Sequence, residues 1–192
     1  MGDKLFLARA YRIILGLEDT RRRLRAFMSW AAGPLIAGVR PAALIRMPRG
    51  DLATAWAAWG RELCGAWSLS ALPLRESPGG TLIFLFRRRA LARKALTGIP
   101  ARFLAALGYP VRSGLEASLE LLRTRFEKPG KFPHEIGIFL GYPPGDVAGF
   151  RSGKPSPYPC RGYWKVYHRP ERAERTFAYL DAARIKLVKE FL

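Results

Sequence analysis

Apolar residues recur at helical spacing near the start of the chain. Over residues 4–30 they fall three or four positions apart, which is typical of an amphipathic helix. The pattern is interrupted at 18–20, so we expect a break there. Residues 31–47 are punctuated by Gly and Pro, which predicts irregular chain leading into a short strand at 43–47.

A second apolar stripe predicts a helix over residues 52–63, with Asp51 as its N-cap. Two tryptophans lie on this stripe and could contact an assembly partner, although such stripes more often pack in a core. The stripe consists of Leu52, Ala55, Trp56, Trp59 and Leu63.

Residues 67–86 have the pattern of a β-hairpin, with strands at 67–75 and 81–86 and turn residues at 77–80. Pro73 has no backbone N–H, which places the first strand at a sheet edge or at a bulge. A further strand is predicted at 163–167, after a Pro-rich loop at 155–159.

The remaining periodic segments predict helices. We expect them at 87–95, 101–107, 115–126 and 134–140, from about Asp146, and over 170–192. The order of elements predicts one α+β domain over residues 1–192, with a small, mostly antiparallel sheet of three to five strands flanked by helices.

Charge narrows the class of partner. Of the 192 residues, 33 are Lys or Arg and 15 are Asp or Glu, a formal net charge of +18, which favours a polyanionic partner. Arginine offers a planar fork suited to phosphate or carboxylate, although charge runs are also common on solvated helix faces. The candidate binding arginines form two triplets, Arg21, Arg22, Arg23 and Arg87, Arg88, Arg89.

The two cysteines, Cys64 and Cys160, form no CxxC pair, so we expect neither a disulfide scaffold nor a structural metal site. No charge-free run approaches the roughly 20 residues of a spanning helix. No signal-peptide core is visible at the N-terminus, which makes the cytoplasm the expected compartment. Phosphate-binding loops, dinucleotide fingerprints and nucleophile elbows are also absent from the sequence, and no cofactor is indicated.

The densest motif lies at residues 132–168. Its runs are FPHEIG at 132–137, FLGYP at 139–143, DV at 146–147, GF at 149–150 and GYWKVY at 162–167. This pattern resembles the bacterial domain-of-unknown-function family 3793, and the resemblance spans roughly residues 33–177. The resemblance implies no particular activity, but it points to an acidic redox protein, such as a flavodoxin-like carrier, as one partner.

Two positions depart from the family pattern. Ala32 stands where the resemblance leads us to expect a cysteine, and Arg161 separates Cys160 from Gly162. If the family used two cysteines together in a metal site or a redox bond, this chain could not.

His134 and Glu135 begin like a zinc-protease motif, but position 138 is Ile rather than the second His. A simpler interpretation is that Glu135, in the first turn of a helix, complements the positive end of the helix dipole.

The tetrapeptide Leu-Gly-Tyr-Pro occurs at 107–110 and again at 140–143. An apolar helix end followed by Gly and Pro is a helix stop, with Gly in the left-handed conformation. The second copy also fits a helix-turn-helix, with Gly137, Gly141, Val147 and Phe150 at the packing positions. Base-reading side chains are lacking after Pro144, which favours a helix pair packed inside the domain.

Alternation over 163–167 predicts Tyr163, Lys165 and Tyr167 on one face of a strand. Such a face could stack bases or hold a cation against rings, or it could cover the core edge. Tyr142 is a further candidate binding residue. Cys160 is either a reactive thiol with a pKa lowered by Arg161 or an inert buried one.

Taken together, these features favour a non-catalytic, basic cytoplasmic protein that binds nucleic acid or an acidic redox protein. The alternative is an enzyme or small-ligand-binding protein with a site around the HEIG and CRGYWKVY segments. In that case the candidate catalytic residues are His134, Glu135, Cys160 and Lys165.

Overall fold

A computed structural model describes residues 2–128, 130, 132–153 and 158–192. The chain divides into two compact units, one formed by residues 1–86 with 179–192 and the other by residues 87–178. A three-stranded and a two-stranded antiparallel sheet accompany the helices, which confirms the predicted α+β class. The single domain over residues 1–192 stays a prediction.

The first unit contains three whole helices, the second half of α9 and one sheet in its described part. The strand order is β1-β3-β2, with every pairing antiparallel and Ile45 opposite Ile83. Helices α2 and α3 contact the strands and enclose a core that includes Phe27, Met28 and Leu85. The elements are α1 (Gly2–Leu15), α2 (Thr20–Ile36), β1 (Ala42–Met47), α3 (Asp51–Ala66), β2 (Ser70–Ser77) and β3 (Gly80–Phe86).

The predicted break in the first helix is confirmed. Helix α2 begins after Asp19, whose side chain accepts a hydrogen bond from the Arg22 backbone N–H at 2.7 Å. The irregular chain predicted from residue 31 is wrong, because α2 runs on to Ile36 with Pro34 inside it. A non-helical Ala32 (φ −123°) kinks the helix just before the proline, which lets the helix continue past it.

The predicted N-cap of α3 is also wrong. Gly50 occupies that position with a φ of 82°, and no side-chain cap hydrogen bond is made. Asp51 instead accepts a hydrogen bond from Arg23 Nη1 at 3.1 Å. The expectation for Pro73 is confirmed, since β2 is an edge strand whose register shifts between Pro73 and Arg75.

The described part of the second unit is mostly helical. Its elements are α4 (Arg88–Ala95), α5 (Gly98–Ala106), a 3-10 turn (Val111–Ser113), α6 (Gly114–Glu127), α7 (Ile136–Phe139), α8 (Pro144–Arg151), β4 (Cys160–Arg161) and β5 (Lys165–Val166). Helix α9 (Pro170–Lys189) begins in this unit and ends in the first.

Several predicted elements of the second unit are longer or shorter than expected. Helix α5 starts three residues early because Pro100 lies in its first turn, where no backbone N–H is needed. The helix predicted at 134–140 is one turn, and the strand predicted at 163–167 pairs only at Lys165–Val166. Of the predicted Pro-rich loop, Pro155 and Pro157 lie outside the described residues.

Both Leu-Gly-Tyr-Pro segments are helix stops, as predicted. Gly108 and Gly141 each have a φ of 81°. In both, the tyrosine N–H bonds a carbonyl five residues back, from Tyr109 to Leu104 at 3.1 Å and from Tyr142 to Gly137 at 2.8 Å. This is the hydrogen-bond pattern of the Schellman motif, so one local device ends both α5 and α7.

Candidate functional site

The described residues of the motif, 132–153 and 158–168, fold into one closely packed part of the second unit. Its glycines give space to side chains from the next segment of chain. A Cβ added to Gly149 would lie 2.9 Å from the Tyr167 ring, and one added to Gly145 would lie 2.9 Å from His168. Gly137 and Gly162 are equally crowded, by Val147 and by Phe177. These four glycines of the motif are therefore packing positions.

Asp146 joins α8 to the chain around β5. Its side chain is buried, and it accepts three hydrogen bonds. Trp164 Nε1 donates to Oδ2 at 2.8 Å, while the backbone N–H groups of Tyr167 and His168 donate to Oδ1 at 2.8 and 3.0 Å. Because all three donors come from the protein itself, Asp146 serves internal packing. This arrangement agrees with the predicted interior helix pair and offers nothing for base reading.

Glu135 is a buried carboxylate held by two arginines. It pairs with Arg125 and, at 3.6 Å, with Arg151 Nε, and it accepts a hydrogen bond from the Tyr109 hydroxyl at 3.3 Å. Burial raises the pKa of Glu135. Its own backbone N–H, the Arg125 hydrogen bond and the charges of Arg125 and Arg151 outweigh burial and hold the pKa below its ordinary value.

This environment corrects the helix-dipole interpretation of Glu135. The residue precedes α7 and makes no side-chain cap hydrogen bond, so the arginines rather than the helix end neutralise it. The pKa of the neighbouring Tyr109 hydroxyl is raised, first by burial and then by the charge of Glu135. Both groups keep their ordinary charge at neutral pH.

His134 precedes the buried Glu135 in the chain, and its own side chain is exposed. Its ring meets Phe150 edge to face with the centroids 4.7 Å apart, and Phe132 lies 5.3 Å away on centroids. Burial lowers the pKa of His134, Glu135 raises it and Arg151 lowers it further, with a net lowering. Most His134 side chains are therefore uncharged at pH 7.

A cation close to two rings also contacts Phe150. Lys165 Nζ is 4.8 Å from the Tyr158 ring centroid and 5.3 Å from that of Phe150. Tyr158 also meets Tyr167, with the centroids 6.2 Å apart. Phe150 is 39% exposed and Tyr158 40% exposed. We call Phe150, Tyr158, Lys165 and Tyr167 the Lys165 cluster.

The structure thus brings some of the predicted site residues together. Lys165 and Tyr167 share Tyr158, and His134 contacts the same Phe150 ring as Lys165. These contacts place both halves of the motif at one exposed surface.

Three other predicted site residues lie outside the cluster. Tyr163 packs on Phe177 at 5.8 Å and Tyr142 on Trp164 at 5.0 Å, both between ring centroids. The predicted alternation fails at Tyr163 because strand pairing starts only at Lys165. Burial, followed by the charges of Glu174, Asp146 and Glu171, raises the pKa of Cys160, which is the opposite of the lowering considered from its neighbour Arg161.

The family described as "Protein of unknown function (DUF3793)" matches residues 28–192. The chain belongs to this family. The match includes every residue of the Lys165 cluster and begins inside α2. No curated protein and no solved structure matches the chain.

Within this DUF3793 chain, the described residues include no group of three His, Cys, Asp or Glu that could hold a metal ion. Among the same residues, no helix combines the length and the apolar character needed to cross a bilayer.

The arginine triplets are partly neutralised. Arg21 pairs with Glu62, and Arg88 pairs with Glu116. Arg23 donates to Asp51 and, through Nε, to the Leu17 carbonyl at 2.6 Å. The Arg22 and Arg89 side chains are exposed, and Arg87 is partly buried. At least one arginine of each triplet is therefore engaged in an ion pair.

The sequence did not indicate Tyr158 as a member of the Lys165 cluster, nor Arg125 and Tyr109 as partners of Glu135. Tyr158 lies within the predicted Pro-rich loop at 155–159, where no periodicity indicates a side-chain direction. Arg125 lies on α6 among other charged residues, so nothing in its neighbourhood distinguishes it from a solvated helix position. Phe150 was expected at an interior helix-helix contact, but it remains partly exposed beside a cation.

Proposed function

We propose that this chain is a non-catalytic cytoplasmic protein that binds single-stranded nucleic acid through the Lys165 cluster. The observation that carries the proposal is the exposure of Phe150 and Tyr158, 39% and 40%, while both rings contact the Lys165 ammonium. Proteins that bind single strands combine rings on which bases stack with cations that follow the phosphates.

The charge around the cluster supports this proposal. Residues 87–178 carry 18 Lys and Arg against seven Asp and Glu, whereas the first unit carries 15 against eight. In the segment 147–170 there are five Lys and Arg and no acidic residue. Of these, Arg161 and Arg169 are exposed. A strand whose bases lie on the rings would find cations for its phosphates nearby.

Stacking would supply the larger specific part of the affinity. Base stacking on an aromatic side chain contributes about 1–3 kcal/mol per base and tolerates any base. Lys165 would add a contact between its charge and a phosphate. The expected ligand is a single strand with little sequence preference.

The acidic redox protein is the other polyanion under consideration. It would use the same cations, but a carboxylate-rich surface gains nothing specific from exposed rings. The state of the candidate catalytic groups also favours binding over catalysis. Glu135 is ionised and held by two arginines, and the raised pKa of Cys160 keeps its thiol protonated at neutral pH.

A ring-deletion experiment tests the proposal. Fluorescence anisotropy with a labelled single-stranded oligonucleotide would compare the wild-type chain with the double variant Phe150→Ala, Tyr158→Ala. We expect the double variant to bind about tenfold more weakly or worse, since each lost ring removes one stacking site. Tyr179→Ala is the matched control, because Tyr179 is 61% exposed on α9 and lies outside the cluster.

Heparin separates stacking from charge in the same experiment. It carries negative charge without bases, so the double variant should bind heparin as the wild-type chain does. A double variant that melts normally and still binds the oligonucleotide with wild-type affinity would contradict the proposal. Equal weakening on heparin and oligonucleotide would contradict it too, because stacking would then play no part.

A further inference from the structure

A groove in the first unit is walled by aromatic rings and also lined by two arginines. Its volume is about 480 Å³, within the range of small-molecule sites. Tyr11, Phe27 and Trp30 supply the rings, and Arg46 and Arg184 supply the charge. No acidic residue lies among the described residues that line it. The groove therefore combines flat apolar walls with an excess of positive charge.

The aromatic wall is held in place by its own contacts. Trp30 Nε1 donates to the Leu7 carbonyl at 3.0 Å, which fixes the indole. Tyr11 lies 4.5 Å from Trp30 and Phe27 lies 6.4 Å from it, both between ring centroids. A flat ligand ring would meet walls that need little ordering on binding, which favours affinity.

The two arginines are positioned by different elements. On β1, Arg46 Nη1 donates to Ser77 Oγ at 2.7 Å, which orients the guanidinium and uses one of its five N–H groups. On α9, Arg184 Cζ lies 6.0 Å from the Trp30 ring centroid. A Cβ added to Gly33 would lie 3.0 Å from Arg184 Cα, so the glycine lets α9 approach α2 closely and brings Arg184 to the wall.

We infer that this groove binds a small anion with a flat aromatic ring, about the size of a nucleoside monophosphate. The ring would lie against Tyr11 and Trp30, and the anionic group would accept hydrogen bonds from Arg46 and Arg184. Phosphate and carboxylate both suit a guanidinium fork, and both occur on ring compounds of this size. This site is separate from the Lys165 cluster and goes beyond the proposed function.

Titration calorimetry on the full chain tests the chemical class. The probes are AMP and indole-3-acetate, which join a ring to phosphate or to carboxylate. The separate halves are adenosine and ribose 5-phosphate for AMP, and 3-methylindole and acetate for indole-3-acetate. We expect at least one ring anion to bind about tenfold tighter than both halves, since a charge-assisted hydrogen bond and stacking then act together. Preference for AMP or for indole-3-acetate identifies the anionic group.

Binding of neither ring anion, or equal binding of ring anions and halves, would overturn the inference. Arg46→Gln should weaken the preferred ring anion by about tenfold or more. The control is Arg61→Gln, which removes the same charge from an exposed position on α3 outside the groove. Equal affinities of these two variants would also overturn it.

Two further variants keep the test decisive. Where Arg46→Gln lowers the melting temperature, Arg184→Gln should show the same loss of affinity, and wild-type affinity in that variant would contradict the inference. The double variant Phe150→Ala, Tyr158→Ala should bind the ring anion normally. A loss of ring-anion affinity in that double variant would place the ligand at the Lys165 cluster and so contradict binding in the groove. If the nucleic-acid proposal fails, the prediction for ring-anion binding in the groove is unchanged.

Discussion

Single residues of the motif act mainly by being small or by being buried. Gly149 lies under the Tyr167 ring, and Gly145 lies under His168. Each position requires the absence of a side chain because an aromatic ring occupies the space that a Cβ would take. Asp146 shows the complementary case, a buried carboxylate whose acceptor capacity is used by three donors of the same chain.

Gly149→Ala should lower the free energy of unfolding by about 1–3 kcal/mol, because the added methyl overpacks against the Tyr167 ring. Gly65→Ala is the matched control. Nothing lies within 4 Å of a Cβ there, and the residue is inside α3, so the alanine should be neutral or stabilising. Denaturant melts of the two variants give the comparison. Equal stability would show that Tyr167 does not pack on Gly149.

Cys160 should react slowly with alkylating reagents near neutral pH. Burial, followed by the nearby carboxylates, raises the pKa of its thiol, and only the thiolate is nucleophilic. We expect iodoacetamide at pH 7 to modify Cys160 more slowly than the cysteine of a short, unfolded, end-blocked peptide, with the rate rising as the pH increases. Peptide mass spectrometry distinguishes this site from Cys64, which is buried. Modification faster than that of the peptide would contradict the raised pKa.

At the scale of elements, Glu135 and its partners Arg125, Arg151 and Tyr109 connect α6 to α8. Arg125 comes from α6, Arg151 from the last turn of α8, and Glu135 from the chain just before α7. The Tyr109 hydroxyl adds the segment that follows α5. One buried carboxylate thus joins four segments of the second unit, and its charge is the condition for both arginine ion pairs.

Glu135→Gln should lower the free energy of unfolding at pH 7 by about 1–3 kcal/mol, because two arginines lose their ionic partner. The pKa of Glu135 is lower in the folded chain than its ordinary value of 4.5. Its stabilisation is therefore complete above that value and is lost as the pH falls through the folded pKa. Urea melts between pH 7 and pH 3 should show the wild-type advantage shrinking.

The control for this comparison is Glu120→Gln. Glu120 pairs with Arg123 on the exposed face of α6, where an ion pair contributes little to stability, so its loss should be smaller. A Glu135→Gln variant as stable as Glu120→Gln at pH 7, or a wild-type advantage that grows on acidification, would contradict the role of the buried carboxylate.

The sequence predicted those elements whose signal is local. Both Leu-Gly-Tyr-Pro stops and the edge position of Pro73 follow from backbone chemistry at a few residues. The continuation of α2 through Pro34 could not be predicted, because it depends on a kink at Ala32 and on the approach of α9 at Gly33. Asp51 was misassigned for a similar reason, since Arg23, 28 positions earlier, is its partner.

The candidate site was predictable only in part. Alternation predicts Lys165 and Tyr167 on one face, and both side chains contact the Tyr158 ring, although the strand itself ends at Val166. The rings that complete the cluster are Phe150 on α8 and Tyr158 in the predicted Pro-rich loop, and their approach depends on the tertiary fold. The helix-dipole interpretation of Glu135 failed for the same reason. The sequence shows the carboxylate, but it does not show that Arg125 and Arg151 pair with it in the fold.

For the whole molecule, the net charge of +18 draws any polyanion, but it does not choose among them. To distinguish among polyanions, the protein needs a surface feature that one class of polyanion can bind and the others cannot. The exposed rings beside Lys165 are such a feature, since they suit unpaired bases and offer nothing to heparin or to an acidic protein.

The central claim is tested most directly by removing the bases and keeping the phosphates. Affinities of the wild-type chain for a single-stranded oligonucleotide and for an abasic strand of the same length would be measured by anisotropy over a salt series. We predict that the base-bearing strand binds about tenfold tighter or more at every salt concentration, with the same salt slope for both strands. Equal affinities for the two strands would mean that the rings take no part and would contradict the account.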